Sequence, residues 1–159
     1  PRSLSSLSKA AGMSTRIGLN FRRVPDVELL HRGIFHIRLL CRVQFQTLAN
    51  NLLVRSAIVD TGAPLCLIPS DLWEQVRTQQ FEATRIGGLM MQKDCAIPGR
   101  VGVLSMTLLD PADHQKRLTV RAFLAQTTEV PLILGFQDCL EKATVHLSFL
   151  RNEAWLEFA

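Results

Sequence analysis

The sequence lacks a metal-binding cysteine motif and any long apolar run. Its four cysteines, Cys41, Cys66, Cys95 and Cys139, are far apart and form no Cys-x-x-Cys pair, and the four histidines do not complete a ligand motif with them. We therefore expect buried free thiols, no metal site and no cofactor. No apolar stretch approaches the roughly 18 residues of a membrane span, and the basic, Ser-rich N-terminus lacks the apolar core of a signal peptide. These absences predict a soluble, cytoplasmic protein.

Net charge is also missing from most of the chain. The net charge of +4 comes from residues 1–32, which hold six Lys or Arg against two acidic residues, whereas residues 33–159 hold equal numbers of each. A nucleic-acid-binding surface would need clustered basic side chains interleaved with aromatic ones. The neutral body of the chain has neither, so we expect no nucleic-acid partner.

The 159 residues are enough for one domain. Residues 1–33, which are basic and interrupted by Pro25, predict a flexible N-terminal arm before a domain at 34–159. From Ile34 to Phe45 apolar and polar residues alternate, which predicts a β-strand, and Leu52 to Val59 predicts a second strand. Further strands are predicted at 118–125 and 130–135, with extended segments within 84–109 and a closing hairpin at 144–158. Two short helices are expected, one capped by Ser70 and ending near Thr78, the other at 136–142. The chain is therefore predicted to be mainly β.

One motif carries chemistry. Ile58-Val59-Asp60-Thr61-Gly62-Ala63 places a lone carboxylate at the end of an apolar strand, and it occurs only once. Asp and Gly are common in turns, so Asp60-Thr61-Gly62 alone is also compatible with an ordinary strand-ending turn.

Together with its surroundings, this motif resembles that of the retropepsin-like aspartic peptidases, the single-domain, dimeric relatives of pepsin. The features follow the family's order: a hairpin leading to Asp60, a glycine-containing β segment, then Leu132-Ile133-Leu134-Gly135 before a helix, and a terminal strand. The resemblance covers about residues 34–158. It implies a closed β-barrel of the acid-protease fold, with a flap hairpin over the site.

The resemblance also implies a reaction and a partner. In this family two subunits each supply one aspartate, so it implies a homodimeric aspartic endopeptidase in which Asp60 and its counterpart activate a water to hydrolyse an extended peptide. Thr61 would hydrogen bond across the dimer axis, Gly62 would let its N–H approach the carboxylates, and Ala63 would lie beside the substrate. Leu134 and Gly135 would pack beneath the catalytic loop.

The position of the flap is open. Its tip is expected either at Ile86-Gly87-Gly88 or at Pro98-Gly99, where the proline would stiffen the turn and remove a backbone donor. The chain has no tyrosine, a familiar flap residue of the wider superfamily, although the retroviral members also do without one. The C-terminal hairpin is longer than the single terminal strand of the smallest members and is expected to widen the dimer interface.

Two other functions remain compatible with the sequence. A dimeric module of the same fold would bind peptides or a partner protein without catalysis, and a structural dimerisation domain would belong to a larger assembly. An intact Asp60-Thr61-Gly62-Ala63 favours the peptidase over both alternatives, because functional residues argue more strongly than fold alone.

Overall fold

The computed structural model describes residues 14–26, 30–86 and 96–159, with a mainly β architecture. There are eleven strands in these residues: β1 (Thr15–Gly18), β2 (Asn20–Pro25), β3 (Phe35–Gln46), β4 (Leu52–Val59), β5 (Cys66–Ile68), β6 (Thr78–Ile86), β7 (Ile97–Leu109), β8 (Gln115–Ala125), β9 (Ile133–Leu134), β10 (Ala143–Ser148) and β11 (Glu153–Phe158). The helical elements are α1 (Ser70–Trp73) and two 3-10 turns, Leu30–Arg32 and Leu140–Lys142. None of the helices in the described residues is long and apolar enough to cross a membrane.

The strands form two sheets. Eight of them follow the order β2-β3-β4-β9-β5-β8-β7-β6, and β3 also pairs with β7, which closes the sheet into a ring. The other three form an antiparallel sheet in the order β1-β11-β10. β4 runs parallel to β9, and β5 runs antiparallel to it, so β9 lies between the two strands that the Asp60 loop connects.

Alternating apolar residues build the core, as their period of two requires. On β3 the side chains of Cys41, Val43 and Phe45 are buried, and β7 buries Leu104, Met106 and Leu108 in the same way. These side chains belong to the larger of two clusters, which extends into the three-stranded sheet through Leu156 and Phe158 on β11 and other residues. A smaller cluster contains Leu67, Phe123, Ala125 and Ile133.

Both strands of the N-terminal hairpin, β3 and β4, are confirmed close to the predicted bounds, as is the closing hairpin β10–β11. The flexible arm predicted for residues 1–33 is wrong for residues 15–25. β1 pairs with β11 from Thr15↔Phe158 onward, and β2 pairs with β3. These partners are distant in sequence, so a local pattern did not reveal them.

Both helices are shorter than predicted. The first spans only Ser70–Trp73, and its N-cap residue is Pro69, without a side-chain capping hydrogen bond, rather than Ser70 as predicted. It stops early because Val76 forms a bridge with Thr47, and β6 then begins. In the second, only Leu140–Lys142 is helical, as a 3-10 turn.

Candidate functional site

Asp60 lies directly beyond the end of β4, on the side of β9. Ile58 and Val59 pair with Ile133 and Leu134, and the Asp60 N–H then donates to the Leu134 carbonyl at 3.0 Å. The buried pairing of β4 with β9 therefore fixes the backbone position of a half-buried carboxylate.

Two hydrogen bonds shape the loop after Asp60. The Gly62 N–H donates to Asp60 Oδ1 at 2.9 Å, and the Ala63 N–H donates to the Asp60 carbonyl at 3.3 Å. A Cβ on Gly62 would lie 3.3 Å from the same carboxylate oxygen, which is a tight contact. The predicted approach of the Gly62 N–H to the carboxylate is thus present within one subunit, while Thr61 and Gly62 are exposed and Ala63 is half-buried.

Leu134 and Gly135 lie beneath this loop. Both are buried, and a Cβ on Gly135 would come within 2.2 Å of the Leu65 carbonyl oxygen. The next two residues hold the loop from below, because the Phe136 N–H donates to the Ala63 carbonyl at 2.8 Å and the Gln137 N–H donates to the Pro64 carbonyl at 3.0 Å. The sequence prediction that Leu134 and Gly135 pack under the Asp60 loop agrees with these contacts.

Two buried thiols complete the underside of the loop. Cys66 Sγ accepts the Gly135 N–H at 3.4 Å, and the thiols of Cys66 and Cys139 contact each other. A hydrogen bond from Cys139 lowers the pKa of Cys66, and the same bond, together with burial, raises the pKa of Cys139. The two buried thiols are therefore a packing element beneath the loop.

A depression of about 280 Å³ opens beside Asp60 and Thr61. Among the described residues that line it, Asp60 is the only acidic one, Arg38 the only basic one and Thr61 the only neutral polar one; the others are apolar: Phe21, Ile37, Leu39, Ile58, Val59, Val145, Leu147 and Phe149. Phe21 and Phe149 contact each other, with ring centroids 5.7 Å apart. A carboxylate at the edge of an apolar depression is suited to contact a bound chain, but the described residues supply no second carboxylate to it.

The loop also contacts the smaller core cluster. Ala63 and Ile58, both half-buried, pack against the smaller core cluster with Val130 and Ile97.

The two positions predicted for the flap tip lie on or next to the antiparallel strands β6 and β7. Ile86, the last residue of β6, pairs with Ile97, the first of β7, while Gly87 and Gly88 lie outside the described residues. Pro98 and Gly99 are not a tip: both lie within β7, and a Cβ on Gly99 would come within 2.5 Å of the Leu124 carbonyl oxygen. The alternative tip at Pro98-Gly99 is therefore wrong, because Gly99 is needed for close packing against β8.

Sequence reasoning gave no role to Phe21, Arg38, Leu147 or Phe149, which line the depression. The alternation in β3 predicted that Arg38 lies on the polar face of that strand. It could not show that Arg38 also lies beside Asp60, which follows a different strand. Phe21 was missed because β2 was taken for part of a flexible arm. In the described residues, no group of three or more His, Cys, Asp or Glu side chains gathers where it could hold a metal ion.

No protein-family model matches the chain. A search of curated proteins likewise finds no significant match.

Proposed function

We propose that the chain is one subunit of a homodimeric aspartic endopeptidase of retropepsin-like fold. The observation that carries this proposal is the fixed, half-buried Asp60 at the edge of an apolar depression with no other acidic residue in its lining. Peptide hydrolysis without a nucleophilic side chain or a metal requires a second carboxylate. The simplest source is Asp60 of a second copy.

The chemistry follows from placing two carboxylates a few ångströms apart. They cannot both ionise readily, so they share one proton and titrate as a pair. The charged carboxylate takes a proton from the water that attacks the peptide carbonyl carbon, while the protonated one donates to the carbonyl oxygen. The C–N bond then breaks as the nitrogen is protonated. In each subunit the Gly62 N–H, 2.9 Å from Oδ1, would help to orient the carboxylate.

The edge of β10 supports a second copy as the partner. β10 is a terminal strand of its three-stranded sheet, and its Leu147 is 47% exposed although it is apolar. The turn that follows exposes Phe149 and Leu150 by 65% and 98%. An unpaired, apolar strand edge favours pairing with another chain. Since Val145, Leu147 and Phe149 line the depression beside Asp60, a copy docked there would bring its own Asp60 close.

An extended peptide is the substrate that these surfaces favour. A peptide bound as an added strand presents alternate side chains to opposite sides, and the apolar depression beside Asp60 can accept the side chains on one of them. We propose that the β6–β7 hairpin is the flap that covers it. Large apolar residues should therefore flank the cleaved bond.

The test is cleavage of a diverse peptide library by the wild type and by Asp60→Asn, between about pH 3 and pH 7, where a carboxylate pair titrates. Mass spectrometry would identify products and cleavage sites. Products from the wild type alone would support the proposal. Identical products from both proteins would identify a contaminating peptidase, and no product from either would contradict catalysis by Asp60.

A non-catalytic dimer that binds peptides or a partner protein is the second candidate. The apolar depression and the open edge of β10 favour binding whether or not turnover follows. If the wild type and Asp60→Asn bind the same peptides with equal affinity and neither gives products, this second function replaces the first.

A further inference from the structure

Two arginines face each other across β2 and β3 close to the candidate site. Arg22 pairs directly with Arg38 in the antiparallel register, and both side chains are exposed. Directly opposed residues of an antiparallel pair project from the same face, about 5 Å apart at Cβ, and like charges placed in this way destabilise the sheet. The chain carries this cost beside Asp60.

Neither guanidinium is neutralised within the described part of the chain. No carboxylate there lies within ion-pair distance of Arg22 or Arg38; the ion pairs that arginines form in this part of the chain are Arg16 with Glu157, Arg121 with Asp138 and Arg151 with Glu153. The Arg22–Arg38 pair is therefore a concentration of positive charge without an internal partner.

The register places this charge level with Asp60. Leu40 of β3 pairs with Ile58 of β4, so continuing the same antiparallel register by two residues brings Arg38 alongside Asp60. Both residues line the same depression, although they form no ion pair with each other. A chain bound beside Asp60 would thus pass the guanidinium of Arg38.

We propose that Arg38, assisted by Arg22, recognises an aspartate or glutamate side chain of the bound peptide near the cleaved bond. Two adjacent guanidinium groups offer several N–H donors to one carboxylate, which favours charge-assisted hydrogen bonds over a simple surface contact. The acidic side chain would also relieve the repulsion between the two arginines. The enzyme would then prefer peptides that have apolar residues on either side of the cleaved bond and one acidic residue close to it. This inference rests on the proposed function only in that a peptide occupies the depression beside Asp60.

The experiment compares peptides that share one apolar cleavage sequence and carry Glu, Gln or Lys at each neighbouring position in turn. We expect the wild type to prefer Glu over Gln in kcat/KM by about five- to tenfold at one position, as for a partly desolvated ion pair. Arg38→Gln should abolish this preference, and Arg38→Glu should favour Lys at the same position. Arg117→Gln, which removes an equal charge from a different depression, should retain the wild-type preference.

A binding measurement separates failure of this inference from failure of the peptidase proposal. Asp60→Asn is titrated with the same fluorescently labelled peptides, and affinity is read by anisotropy, which needs no turnover. Tighter binding of the Glu peptide that disappears in Asp60→Asn carrying Arg38→Gln would support recognition by Arg38 even if no peptide were cleaved. Equal affinities for Glu, Gln and Lys peptides, no binding of any of them, or a preference that survives Arg38→Gln would overturn it.

Discussion

Gly135→Ala should disrupt the support of the Asp60 loop, because a Cβ there meets the shortest contact found for any glycine in the described residues. A Cβ at this position would lie 2.2 Å from the Leu65 carbonyl oxygen, 2.3 Å from the carbonyl carbon and 2.8 Å from the Cys66 nitrogen. All three atoms belong to the backbone, so no side-chain rotation can relieve the overlap. The segment between Asp60 and β5 must move away from β9, or β9 must move away from it.

The free energy of unfolding should fall by about 3 kcal/mol or more, which is the upper end of the range for overpacked protein interiors. For a domain of this size that corresponds to a fall in Tm of roughly 6–12 °C. Gly18→Ala is the matched control, because its Cβ would meet nothing closer than Asp110 Oδ2 at an ordinary 3.5 Å. Denaturant unfolding of the two variants and the wild type measures the difference. A Gly135→Ala variant within about 0.5 kcal/mol of Gly18→Ala would refute the close packing beneath the loop.

Three further outcomes can be measured. Asp110 is buried, which by itself would raise its pKa, but hydrogen bonds, led by that from the His114 side chain, hold the pKa below its usual value. Asp110→Asn should therefore lower the free energy of unfolding by about 2 kcal/mol at neutral pH, and urea unfolding should show this difference shrink as the pH falls below about 4. A difference that stays constant with pH would contradict the lowered pKa. Burial raises the pKa of Cys41 to about 12, so a thiol reagent should label it only after unfolding, as peptide mass mapping would show; rapid labelling of the native protein would contradict its burial. Leu147→Asp should weaken the proposed dimer in sedimentation measurements without unfolding the subunit. Leu52→Asp, at another exposed leucine away from β10, should leave the dimer intact, and equal effects of the two changes would argue against β10 as the dimer contact.

Local patterns in the sequence predict much of the central sheet. The alternation in β3 and the apolar run of β4 each depend on which face a side chain occupies, and that period is visible in the sequence. The same logic placed Asp60 at a strand end. Its pairing with the Leu134 carbonyl followed from no pattern, although the resemblance had put Leu134 and Gly135 beneath the loop.

What the sequence did not predict depends on contacts between distant segments. β1 forms only because Thr15 lies opposite Phe158, and the helix after Pro69 ends where Val76 bridges to Thr47. Gly99 looked like a turn glycine, but it is required by the Leu124 carbonyl and the Phe123 ring of the neighbouring strand. In each case a tertiary partner overrides a local preference, and one sequence does not name that partner.

The candidate site also has one part that the sequence predicts and one part that depends on distant contacts. The motif around Asp60 indicates the chemistry, since each residue type suits a shared carboxylate pair. The motif could not predict that Arg38 and Phe21 belong to the site, because their position beside Asp60 depends on the register of β2, β3 and β4. Specificity therefore has to be inferred from the fold, whereas the reaction can be proposed from the motif.

The most direct test of the central claim mixes wild-type and Asp60→Asn subunits in known ratios, lets the dimers re-equilibrate and measures peptide cleavage. If each site needs Asp60 from both subunits, only dimers with two wild-type subunits are active, and activity follows the square of the wild-type fraction. An equal mixture should then retain about one quarter of the wild-type activity at constant total protein. Retention of about one half would show that each subunit acts alone, which would contradict a shared Asp60 pair.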